Sequence, residues 1–97
     1  GELTIDVAAH EVTRNNADVP LTPLEFQLLA TLAAHPGMVH TRGQLLDIVW
    51  GGDYYGDDHV VDAHISNLRK KLEPTPAQPR YIETVRGVGY RFRRADS

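Results

Sequence analysis

HVVDAHISNLRKKLE, residues 59–73, sets apolar side chains at Val61, Ile65, Leu68 and Leu72. Steps of four, three and four residues bring these onto one face of an α-helix. The pattern predicts a helix from about Asp58 to Glu73, roughly 24 Å long at about 1.5 Å per residue. The apolar stripe is narrow. Across from it, His59, Asp62, Ala63, Ser66, Asn67 and Lys70 form a broad arc rich in hydrogen-bonding groups. A surface helix of a catalytic domain would carry a similar arc, so its use has to be read from its neighbours.

Downstream, PTPAQP (74–79) holds three of the chain's six prolines and stops the helix. Tyr81–Arg86 and Val88–Arg93 then read as two strands that reverse around Gly87 and Gly89, the glycines serving the turn. Tyr90 and Phe92 share a strand face that can anchor this hairpin on the core. Upstream lies GGDYYGDD (51–58), a loop with three glycines. Before it, Thr41-Arg42-Gly43-Gln44 is a capping box that opens a short helix with Leu45, Leu46, Ile48, Val49 and Trp50. Thr22-Pro23-Leu24-Glu25 is a second box, with proline at the first helical position. The helix it opens has Phe26, Leu29, Ala30 and Ala33 on one side and Leu24 and Leu28 opposite, so it is expected inside the core. His35-Pro36-Gly37 ends it. In the first 20 residues Leu3, Ile5 and Val7 alternate with polar neighbours, and 11–14 and 16–19 read as strands about an Asn15-Asn16 turn.

The expected fold class is therefore α+β. It is a winged helix-turn-helix with an N-terminal antiparallel β-sheet (1–20), a three-helix bundle (22–73) and a C-terminal β-hairpin wing (80–94), one domain over 1–97.

The formal net charge of −3 hides a segregation. Residues 1–68 hold two basic side chains against ten acidic, a balance of −8, and residues 69–97 hold eight against three, a balance of +5. Exposed charges are screened beyond about 8 Å at physiological salt, so the basic third acts locally on an anionic partner. With 41% hydrophobic and 24% charged residues the composition is that of a globular chain. No apolar run approaches the roughly 20 residues of a membrane helix. The opening GELTIDVAAH lacks the basic and apolar regions of a signal peptide. Zero cysteines exclude a disulfide framework and thiolate metal sites, and a reducing, cytoplasmic setting fits.

Other chemistries fit the same residues poorly. Gly87-Val88-Gly89 lacks the strand-to-helix context, the third glycine and the Lys-Ser/Thr of a phosphate-binding loop. Asp57, Asp58, His59, Asp62 and His64 could suggest a metal or acid–base cluster, but the two histidines lie on different sides of the helix. D-Y-Y-G-D-D also lacks the alternating oxygen ligands and closing Glu of a calcium loop. Acidic residues at a helix start instead offset the macrodipole. No catalytic residue, metal or cofactor is expected. Trp50 reads mainly as a core residue with its N–H near the surface. Tyr54 and Tyr55 suit either loop packing or a partner contact.

The stretches LTPLEFQLLATLAAHPGMVHTRGQLLDIVWG, HVVDAHISNLRKKLE and YIETVRGVGYRF, in that order, resemble the DNA-binding effector domain of OmpR/PhoB-type response regulators. The resemblance covers nearly the whole chain. It implies a four-stranded N-terminal sheet and a phosphoacceptor receiver domain that this chain does not contain. It also implies double-stranded DNA as partner, bound at tandem direct repeats by head-to-tail pairs. The recognition helix, 59–72, would enter the major groove and the hairpin the minor groove. By position, His59, Val60, Ala63, His64, Asn67 and Lys70 then reach bases or phosphates, with Arg69 nearby. Arg42 and Trp50 approach phosphates, and Thr84, Arg86, Gly87 and Tyr90 belong to the wing. The loop Gly51, Gly52, Asp53, Tyr54, Tyr55 and Gly56 corresponds to one that contacts RNA polymerase. Many relatives carry Arg-Thr at the positions of His59-Val60 and basic residues at those of Ser66-Asn67, so this chain has fewer groove-facing cations. Arginine pairs with guanine, whereas asparagine suits adenine. A winged helix that serves as a protein-interaction module is the alternative.

Overall fold

In the computed structural model, which describes residues 3–52 and 56–94, both capping boxes close. Helix α1 (Pro23–Ala33) begins where Thr22 Oγ1 accepts the Glu25 amide (3.2 Å) and Glu25 Oε1 accepts the Thr22 amide (2.9 Å). Helix α2 (Arg42–Trp50) begins with the same exchange between Thr41 and Gln44. Each box satisfies two amides that have no partner inside the helix. Glu25 is buried and also accepts Lys71 Nζ at 2.7 Å, which ties the start of α1 to the end of the third helix. Burial acts to raise the Glu25 carboxyl, but Lys71 and Thr22 together hold it below the usual carboxylate range.

Helix α3 (Val60–Leu72) is shorter at both ends than the apolar pattern suggests. At its start the amides of Val60 and Val61 bond back three residues to Asp57 and Asp58, so 57–59 form a turn rather than a helical coil. At its end Glu73 is extended (φ −82°, ψ 137°), as the following Pro74 favours. The buried Glu73 carboxylate then accepts the amides of Arg80, Tyr81 and Ile82 at 2.7–3.1 Å and so fixes the entry to the hairpin.

The first strands, β1 (Leu3–Asp6), β2 (Glu11–Arg14) and β3 (Ala17–Asp18), form an antiparallel sheet in the order β1-β2-β3. Asn15 (φ 52°) and Asn16 (φ 67°) make the tight turn between the last two, a conformation asparagine tolerates. Three strands are present among the described residues, where the resemblance implies four. Val19 still bonds Val12, but Pro20 next to it has no amide with which to extend the ladder. His10 stacks on Phe26 at 4.6 Å and Arg14 Nη1 donates to the Leu72 carbonyl at 2.7 Å, so the sheet lies against α1 and the end of α3.

A second sheet, unanticipated in its full extent, has the order β4-β6-β5. Strand β4 (His40–Thr41) joins the hairpin of β5 (Ile82–Val85) and β6 (Gly89–Phe92), pairing His40 with Tyr90 and Thr41 with Gly89. Two residues, the second of them the cap of α2, are too few to show a strand period. The core combines Leu28, Leu29 and Leu32 of α1, Leu45 of α2, the Val61-Ile65-Leu68-Leu72 stripe of α3 and Ile82 of β5, all essentially inaccessible to solvent. Helix α1 packs against α2, α3 and β6, as its two apolar sides require. No helix among the described residues is long and apolar enough to cross a membrane.

Candidate nucleic-acid interface

With its stripe buried, α3 turns the opposite arc outward: Ala63, Ser66, Asn67 and Lys70 are exposed, and His59 is exposed at the helix start. Among the described residues nothing pairs with Lys70, which leaves its ammonium available to an outside anion. His59 Nδ1 lies 2.7 Å from Asp57 Oδ1, which also accepts the His59 amide. The hydrogen bond and charge of Asp57 raise the His59 pKa, and Asp57 is lowered in turn. Val60 and His64 are half-buried; His64 Nδ1 donates to the Val60 carbonyl (2.9 Å), and its ring meets Trp50 edge-on at 5.2 Å. Trp50 is half-buried against the core.

The hairpin is held beside this helix by side chains that the family resemblance counts among the DNA-contacting set, Arg69, Thr84 and Tyr90. Arg69 Nη2 donates to the Ile82 carbonyl and to Thr84 Oγ1, both at 2.8 Å, and its guanidinium lies over the Tyr90 ring, 5.5 Å from the centroid. Burial lowers the Arg69 pKa. Tyr90 is buried, and its hydroxyl donates to Asp62 Oδ1. Arg42 Nε donates to the same oxygen at 2.7 Å. Burial acts to raise the Asp62 carboxyl, yet the bonds from Arg42 and Tyr90 bring it below the usual range. Burial and Asp62 push the Tyr90 hydroxyl up to about 12. From the sequence Asp62 reads as a member of the polar arc and as an acid that offsets the helix macrodipole, not as an anchor for the hairpin. An acid in the middle of a face meant for an anionic ligand was its one signal.

At the hairpin tip the Val88 amide bonds the Val85 carbonyl (2.9 Å) and Gly87 has φ 73°, as a tight reversal requires. Arg86 is exposed there, and among the described residues nothing pairs with it. Val88 beside it is exposed as well. Farther down the strands, Glu83 accepts Arg91 Nε (2.8 Å) and Arg93 Nε (3.0 Å), which compensates part of the basic cluster. Arg86 thus places a cation without a partner among the described residues at the tip of the wing.

The structure brings together Arg42, Tyr90, Arg69 and Thr84 as a bonded network, and leaves His59, Ala63, Asn67, Lys70 and Arg86 as the outward set. In the loop after α2, Gly51 takes φ 86°, while Asp53, Tyr54 and Tyr55 lie outside the described residues. Asp57, Asp58 and His59 offer ligand atoms within 4.8 Å of one another, all on exposed side chains and already engaged through the Asp57–His59 bond.

A buried three-helix core, a polar outward arc on the third helix and a hairpin bonded alongside define a winged helix-turn-helix module. The family model "Transcriptional regulatory protein, C terminal" matches residues 16–92. The transcriptional regulatory protein AfsQ1 of Streptomyces coelicolor is 50% identical over 95% of this chain and 41% of its own length. The DNA-binding response regulator MtrA of Mycolicibacterium smegmatis is 48% identical over 94% of this chain and 40% of its own. Response regulator DrrB of Thermotoga maritima, an OmpR/PhoB homologue, superposes with a TM-score of 0.90 at 39% identity, over 96% of this chain and 42% of that one. The RstA DNA-binding domain of Klebsiella pneumoniae, solved with its RstA box, gives 0.86 at 41% identity, over 96% and 92%. The chain belongs to the C-terminal transcriptional regulatory domain family of OmpR/PhoB-type response regulators, a family of DNA-binding regulators and not of enzymes. It spans about two fifths of the length of these curated relatives.

Proposed function

We propose that this chain is the sequence-specific, double-stranded-DNA-binding output domain of a two-component response regulator, with α3 in the major groove and the wing in the minor groove. One observation carries the reading: the exposed arc of α3 and the hairpin tip present hydrogen-bonding groups and unpaired cations, Asn67, Lys70 and Arg86, on elements bonded side by side. Asn67 reads a base edge, best an adenine, and His59 a second. Val60 and Ala63 offer apolar contact to a thymine methyl. Lys70 and Arg42 hold phosphates. Arg86 enters the minor groove, where a narrow A·T tract concentrates negative potential.

Binding to tandem direct repeats by head-to-tail pairs follows from the family resemblance, as does contact of the loop after α2 with RNA polymerase. The length of the relatives beyond the matched portion supports a receiver domain as the covalent partner. A DNA ligand implies a cytoplasmic setting.

Selection of bound duplexes from a random library tests the reading. A single motif should emerge, and affinity should fall linearly in log Kd against log salt. Asn67→Ala should relax one position of the motif, a loss of about 1–3 kcal/mol for a bidentate contact. Arg86→Ala should weaken sites flanked by A·T pairs. An unenriched library, or an affinity indifferent to salt, would leave the protein-interaction alternative in its place.

A further inference from the structure

Asp62 is an anion on the helix that is to face an anionic ligand. Taken alone it should oppose binding, since a carboxylate near phosphates is repelled and releases no counterion. Yet its Oδ1 accepts two bonds, from Arg42 Nε on α2 and from the Tyr90 hydroxyl on β6. An ionised carboxylate oxygen with two charge-assisted or hydroxyl donors is a strong, directional junction. The face of the Tyr90 ring is covered by the Arg69 guanidinium, which also bonds Ile82 and Thr84 on β5. Asp62 and Arg69 are seven residues apart on one side of α3, about 10 Å along its axis. The wing is therefore gripped by the recognition helix at two levels, and the upper grip reaches α2 as well.

We infer that Asp62 is a positioning residue for DNA recognition: through Tyr90 and Arg42 it fixes the wing and α2 relative to the outward arc of α3, so that major- and minor-groove contacts form together. The inference rests on the DNA-binding reading above. It assigns Arg42 a structural partner in addition to any phosphate. Neutralising Asp62 removes a repulsive charge and loosens the geometry, and these two effects push affinity in opposite directions.

The test uses the 97-residue chain, a duplex carrying the motif selected by that chain, and a scrambled duplex of equal length. Asp62→Asn and Tyr90→Phe should each weaken binding to the selected duplex by about tenfold, comparable to one mismatched base pair. Binding to the scrambled duplex should stay level or, for Asp62→Asn, tighten. Both variants should remain folded at the measuring temperature and melt cooperatively above it, and the double variant should lose less than the two single losses combined. Residual dipolar couplings on the DNA-free protein supply a readout independent of any duplex, and should report a changed angle between α3 and the β5–β6 hairpin in both variants. Tightening on both duplexes alike would reduce Asp62 to a repulsive charge and overturn the inference. An unchanged helix–hairpin angle would overturn it too. Equal weakening on both duplexes would mark a general loss of fold stability in place of positioning. If the unaltered chain does not prefer the selected duplex, the DNA reading fails, and the couplings still judge the Asp62 grip.

Discussion

A methyl group placed on Gly89 would overlap the carbonyl oxygen of His40, because β4 crosses there at backbone contact distance. Gly87, two residues earlier, has open space around it and is constrained only by its φ of 73°. The two glycines of one short motif thus answer to different forces, one steric and long-range, the other local. Gly87→Ala should cost about 1–2 kcal/mol, the penalty of a left-handed L-residue, and leave the sheet intact. Gly89→Ala must push β4 off β6 and should cost more, beyond the about 1–3 kcal/mol of ordinary overpacking. Urea denaturation of the two variants checks the order. Equal losses would mean that β4 yields freely and that the close approach is unimportant. Nothing in the local sequence separates these cases, since a glycine beside a turn looks the same whether it serves the turn or a strand arriving from 48 residues upstream.

Helix α3 illustrates what an element reveals of itself before it is folded. The stripe of Val61, Ile65, Leu68 and Leu72 is written in its own spacing, and the capping boxes of α1 and α2 are contacts between residues three apart. Such features are legible because cause and effect are local. The bonds that hold the hairpin are not: Arg69 and Tyr90 carry groups suited to DNA, and only the folded chain engages them with Thr84 and Asp62. The residues left outward, Asn67, Lys70 and Arg86, are the ones whose exposure follows from the helical repeat and the turn. Glu73 belongs to the hidden class. It leaves α3 as the chain turns extended and gathers three amides at the start of β5. Glu73→Gln keeps the shape but replaces one acceptor oxygen with a donor that faces N–H groups. A loss of about 1–3 kcal/mol is expected for the unsatisfied amides. The urea midpoint should fall with an unchanged m-value, and hydrogen exchange should quicken first at Tyr81 and Ile82. Unaltered protection of those amides would show that the carboxylate does not hold them.

Over the whole molecule the charge is divided between an acidic body and a basic end, and pH acts on each in its own direction. Glu25, Asp62 and Glu83 are all held below their ordinary pKa in the fold by basic or hydroxyl partners. Their contribution is present above the unfolded carboxylate values near about 4 and is lost as pH falls through the lowered folded values. Acid should therefore detach α1 from Lys71 and the wing from Asp62. His59 works the opposite way. Its pKa is raised above the ordinary value near about 6.5, so its stabilising charge is complete below that pH and disappears as pH rises through the folded pKa. Because the ring is exposed, its larger effect should be on binding: the imidazolium adds a cation and an N–H donor to an arc in which Lys70 is otherwise the unpaired charge. Phosphates nearby should raise its pKa further in the complex. Affinity for the selected duplex should accordingly decline between about pH 6 and 8 while the fold stays intact, as a titrating histidine requires. His59→Gln should flatten that profile and lower the salt slope by up to about 0.9, the value of one neutralised phosphate. A profile with the same decline in the variant would assign the pH dependence to another group.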